Sequence, residues 1–83
     1  MNELLNQRQK THGEFKENAL ISQDLKRFYR KCHGWDNMSN VQREALDMIA
    51  LKMSRILSGQ SCFKDHWDDI AGYAALGGKD ERR

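Results

Sequence analysis

Apolar side chains recur along this chain at helical spacing and nowhere alternate as a strand would require. The widest apolar face runs through Ala45, Leu46, Ile49, Ala50, Met53, Ile56 and Leu57. At about 100° per residue it predicts a helix from about Asn40 to Ser58. Ser39 and Gln42 stand at the spacing of a capping box, which marks that helix's start. Met48 and Leu51 fall on its other side, among Glu44, Asp47, Lys52 and Arg55. A helix apolar on two sides is buried on two sides, and the second side is expected to meet another subunit.

An earlier helix is predicted from about Gly13 to Lys31, opened by the capping-box pair Thr11 and Glu14. Its inner stripe is Phe15, Asn18, Ser22, Leu25 and Tyr29, with Ile21 and Phe28 beside it. Residues 2–9 read as a short preceding helix carrying Leu4 and Leu5. A third strong helix is expected from about Asp65 to Gly77, with Trp67, Ile70, Ala71 and Ala74 as its apolar face. Asp65 and Asp69 project about 160° from that face. Gly34, Gly59 and Gly77–Gly78 fall where helices should stop, and there is no proline. Trp35, in the turn after Gly34, is expected to plug the core.

These elements make an all-α protein: an antiparallel helical hairpin (about 40–58 and 65–77) plus one or two N-terminal helices. One domain spans residues 1–83, with 78–83 expected to fray. A chain of 83 residues buries only about 60–65% of the surface its unfolded form exposes. Small domains need a further stabiliser, and a homo-oligomer is the expected one. Two cysteines thirty positions apart form no disulfide framework, so a reducing cytoplasm is expected. No run resembles a signal peptide or a membrane span, which points away from a membrane partner.

The formal charge of +2, from 14 basic and 12 acidic residues, excludes a strongly basic nucleic-acid binder. The short cluster Lys26, Arg27, Arg30 and Lys31 is diluted by Glu17 and Asp24. The acidic groups are more suggestive. Glu44-x-x-Asp47 and Asp65-x-x-Asp68 each share a helix face, and Asp69 follows. On adjacent helices such turns would supply carboxylates to Mg²⁺, with Lys52, Arg55 and His12 near phosphate oxygens. The same acids serve equally as ordinary helix-start residues: Asp65 as an N-cap, Asp68 completing its box, Asp69, Glu44 and Asp47 on the positive end of a helix dipole. Cys32-His33 with Cys62-x-x-x-His66 offers zinc-type ligands, but lacks the usual chelate spacing, and two buried or half-buried thiols are the simpler expectation. No nucleophile–base pair and no phosphate-binding glycine loop is present.

The segments THGEF, REALDMIALKMSRILSG and DHWDDIAGYAALG resemble a family of small phage and prophage proteins, over about Arg8 to Gly77. More distantly, the hairpin with two acidic turns resembles the all-α nucleotide pyrophosphohydrolases of the MazG type. That resemblance implies Mg²⁺ held by an E-E-x-x-E turn and an E-x-x-D turn, release of pyrophosphate from nucleoside triphosphates, and dimers or tetramers. Glu44 and Asp47 would match the last two acids of the first turn; Asp65 and Asp68, with Asp69 as a close substitute, would match the second. Arg43 stands where the first glutamate of the pattern belongs. Two functions follow as expectations: Mg²⁺-dependent nucleotide binding or hydrolysis, or a non-enzymatic protein that engages a host or phage protein.

Overall fold

Ser39 fixes where the central helix begins. In the computed structural model, which describes residues 14–80, its hydroxyl accepts from the Gln42 backbone N–H at 3.1 Å. The Gln42 side chain in turn accepts from the Ser39 N–H at 3.1 Å, closing the predicted capping box. The same hydroxyl donates to the Asp80 carboxylate, and Gln42 Nε2 donates to the Asp80 carbonyl at 3.3 Å. One buried serine thus ties the start of one helix to the end of another. Ser39→Ala should cost about 1–2 kcal/mol, read as a lower urea midpoint with unchanged slope.

The described residues are all-α. Helix α1 spans Phe15–Arg30, α2 Asn40–Arg55 and α3 Lys64–Lys79. A 3-10 turn, His33–Asn37, joins the first two, and a wide π-type turn, Ile56–Gln60, leads from α2 toward α3. Gly59 in that turn has φ 123°, a left-handed conformation that favours glycine.

Several expected boundaries move. Glu14 is the N-cap of α1 rather than the third residue of a helix capped at Thr11; Thr11 and the expected helix over 2–9 lie outside the described residues. Phe63, not Asp65, is the N-cap of α3, and Asp68 pairs with Lys64 at 2.7 Å instead of completing a box. Gly77 and Gly78 do not stop α3, which continues to Lys79. Gly77 serves packing: a Cβ there would lie 3.2 Å from Ala45 Cβ.

α2 has a neighbour on each side. Tyr29 of α1 meets Asp47, and Asn18 meets Ser58 just past the end of α2. Moving back along α1 from Tyr29 to Asn18 moves forward from Asp47 to Ser58 by the same number of residues, the register of an antiparallel pair. On the other side Ala45 approaches Gly77, and Lys52 reaches Asp69. At 3.6 residues per turn these two contact lines stand about 140° apart around α2. The three helices therefore lie side by side in one layer, with α2 in the middle and α1 and α3 scarcely touching. On α2 the expected second side, Met48 and Leu51, is half-buried, while Met53 and Leu57 of the widest apolar face remain exposed.

The three described helices by themselves form one layer, whereas domains normally close a core between two. Among the described residues only Ala45 and Ala50 are fully buried apolar side chains. The other buried residues are polar: Asn18, Ser22, Ser39, Ser54 and His66. The predicted inner stripe of α1 holds for Asn18, Ser22, Leu25 and Tyr29, but Phe15 is 82% exposed. α3 is rotated from its expected face. His66, Ile70, Tyr73 and Gly77 turn inward, while Trp67, Ala71 and Ala74 remain exposed.

Candidate functional site

The most constructed polar cluster joins α1, the 3-10 turn and α2. Asp47 accepts from the Tyr29 hydroxyl at 2.6 Å and from Arg30 at 2.9 Å, so both of its oxygens are engaged. Tyr29 packs against Trp35 with ring centroids 5.3 Å apart. The guanidiniums of Arg30 and Arg43 lie 5.6 and 5.4 Å from the same indole centroid. Arg43 Nε also donates to the Trp35 carbonyl at 3.0 Å. Trp35 is half-buried at the α1–α2 junction, with two cations at its ring. Burial first, then the hydrogen bond and charge of Asp47, push the Tyr29 phenol above its ordinary range; the Arg30 charge pulls it the other way. Every polar partner here is another member of the cluster, as in a structural joint.

The acidic turns are not brought together. In the α2–α3 register, Ala45 faces Gly77 and Lys52 faces Asp69. Glu44 and Asp47 therefore sit beside the C-terminal end of α3, and Asp65 and Asp68 beside the C-terminal end of α2. At 1.5 Å per residue the centres of the two turns are about 14 Å apart along the hairpin. Asp47 also turns toward α1, away from α3. Among the described residues no three His, Cys, Asp or Glu side chains gather where they could hold one metal ion. Within one chain these residues do not fit a shared Mg²⁺ site.

Lys52 lies across from Asp69 at 2.9 Å, its side chain 13% exposed and that of Asp69 47% exposed. Arg55 is half-buried less than one turn beyond Lys52, while Glu44 and Asp65 are exposed. His12 lies outside the described residues. Both cysteines are exposed free thiols, contrary to the expectation of burial. His66 is buried with its ring 4.8 Å from that of Phe63. The basic cluster is partly neutralised, Arg27 by Asp24 and Arg30 by Asp47. No described helix is long and apolar enough to cross a membrane.

The contacts that order the molecule, Tyr29–Asp47, Asn18–Ser58 and Lys52–Asp69, were not anticipated from sequence. One signal was present: Asn18, a polar residue on an otherwise inward stripe, meets Ser58, whereas buried Ser54 turns back to the Leu51 carbonyl of its own helix.

One family model, described as a domain of unknown function (DUF6378), matches residues 1–81. No curated protein and no solved structure matches the chain.

Proposed function

The chain belongs to the DUF6378 family, and on that premise we propose that it is a non-enzymatic helical binding module, which works by covering its apolar face with another polypeptide. The observation that carries this reading is the single helical layer. Among the described residues only Ala45 and Ala50 are buried apolar side chains, while Leu57 is 61% and Trp67 54% exposed. Exposed apolar area of this kind on a small domain marks an association surface. The unassembled acidic turns and the fully engaged Asp47 support binding over metal-assisted hydrolysis. A second copy of the chain, or a host or phage protein, is the class of partner such a face takes.

A second reading, nucleotide binding with or without Mg²⁺, is favoured by one observation. Lys52 and Arg55 place two cations on the face opposite the apolar one, and a phosphate could replace Asp69 on the Lys52 ammonium. A thermal-shift panel of nucleotides with and without Mg²⁺ separates the two. The module reading expects a melting temperature indifferent to every nucleotide and raised by a polypeptide that binds the folded state. A shift that needs both nucleotide and Mg²⁺ would transfer the function to the second reading.

A further inference from the structure

Arg43 is fixed in place without a counter-charge. It is half-buried in the first turn of α2. Its Nε donates to the Trp35 carbonyl at 3.0 Å, and its guanidinium lies 5.4 Å from the indole centroid. These contacts engage one edge and one face of the guanidinium. They leave the two Nη amines, the fork that takes a carboxylate through parallel hydrogen bonds. The natural partner one turn along the helix is Asp47, but both of its oxygens are given to Tyr29 and Arg30. Among the described residues no carboxylate pairs with Arg43. Exposed Lys31 and Asp36, before and within the 3-10 turn, offset one another and leave its charge standing. A guanidinium partly removed from water and unpaired is costly in the free protein, and a carboxylate arriving from outside offsets that cost.

The carbonyl that holds Arg43 also ties it to an apolar groove. Trp35 O accepts from the Met38 N–H at 3.1 Å as well, and Met38 lines a groove of about 310 Å³ between α2 and α3. Leu46, one turn beyond Arg43, lines it too, with Ile49, Tyr73 and Ala74. Among the described residues its walls carry no charge. Their one amide, Gln42, is spent on the Ser39 N–H and the Asp80 carbonyl. The volume is at the small end of ligand sites, about 300–1,000 Å³, and suits an apolar side chain better than a cofactor.

One unmatched charge at the rim of an uncharged groove defines the occupant by charge complementarity. A single carboxylate balances it. A phosphate group, with about 1.5–2 negative charges, would need a second cation, and Arg30 is committed to Asp47. We propose that the α2–α3 groove takes an apolar side chain of an acidic polypeptide segment, whose neighbouring carboxylate pairs with the Nη amines of Arg43. This rests on the binding-module reading and names the chemistry of its partner.

A random peptide library selected on the full chain should enrich sequences with an aspartate or glutamate close to a large apolar residue. Replacing that acid by its amide in the synthetic peptide should weaken binding about tenfold. Arg43→Gln should weaken the acidic peptide by the same factor and leave it no better than the amide. Lys31→Gln removes the same charge from the nearby surface and should change neither affinity. Ala74→Glu, on an exposed wall of the groove, should abolish binding of the acidic peptide, and it serves should Arg43→Gln lose its helicity.

A consensus without an acid overturns the proposal, and so does an acidic peptide indifferent to Arg43→Gln or to Ala74→Glu. In those cases the chain still binds polypeptide, so the binding-module reading stands and only the acidic partner falls. A library that yields no enriched sequence overturns both.

Discussion

Gly77→Val should unfold the protein at a markedly lower denaturant concentration, with a loss of about 2–3 kcal/mol. A Cβ at this position would already stand 3.2 Å from Ala45 Cβ, and valine adds two methyl groups in the same direction. Ala45 is itself 7% exposed and borne on the central helix, so neither partner can yield without separating α2 from α3. The loss should appear in the urea midpoint. Gly72→Ala is the matched control, because a Cβ there meets nothing within 4 Å. It should gain about 0.5–1 kcal/mol from helix propensity alone. Equal behaviour of the two variants would mean that α2 and α3 do not meet at Gly77.

Asp47→Ala should cost about 1–2 kcal/mol, because it leaves the half-buried Tyr29 hydroxyl without its acceptor, while exposed Arg30 turns to water. The expected signature is coupling. Once Asp47 is gone, Tyr29→Phe should cost little more, and a double-mutant cycle should return most of the energy as an interaction. The pH dependence follows from the direction of the phenol's shift. Burial and Asp47 raise the folded-state value of Tyr29 above the unfolded value of about 10. Its contribution is therefore complete below pH of about 10 and is lost as pH climbs from there toward the folded value. Tyr29→Phe should flatten the alkaline fall in stability relative to wild type. An unchanged alkaline profile would place the Tyr29 hydroxyl in water rather than on Asp47.

What could be read from the chain was local. The capping box at Ser39 and Gln42 and the apolar spacing of α2 depend on residues a few positions apart, and both are as expected. The rotation of α3 was not legible, because it is decided across the hairpin. The close approach of Gly77 to Ala45 and the Lys52–Asp69 pair turn Ile70 and Tyr73 inward and leave Trp67 outside, against the weight of its own hydrophobicity. The acidic turns carry a different lesson. Spacing of three residues establishes that Glu44 and Asp47 share a face, and that Asp65 and Asp68 do. It does not establish that the pairs meet. The hairpin itself argued against it, since two antiparallel helices begin at opposite ends and each acidic turn opens its helix. Asp47 could not have been assigned to Tyr29 without the sense of α1.

The central position of α2 also governs how the molecule comes apart. α1 and α3 each lean on α2 and scarcely on one another. Their fates are then linked only through it, much as distant repeats in a solenoid communicate through those between them. Either flank can lift away while the other stays docked, whereas α2 loses its contacts only when both have left. Amide protons of α1 and α3 would accordingly escape through separate partial openings, and those of α2 through whole-molecule unfolding alone. Two margins that open separately around one persistent rod give this small protein a spread of local stabilities beneath its cooperative unfolding.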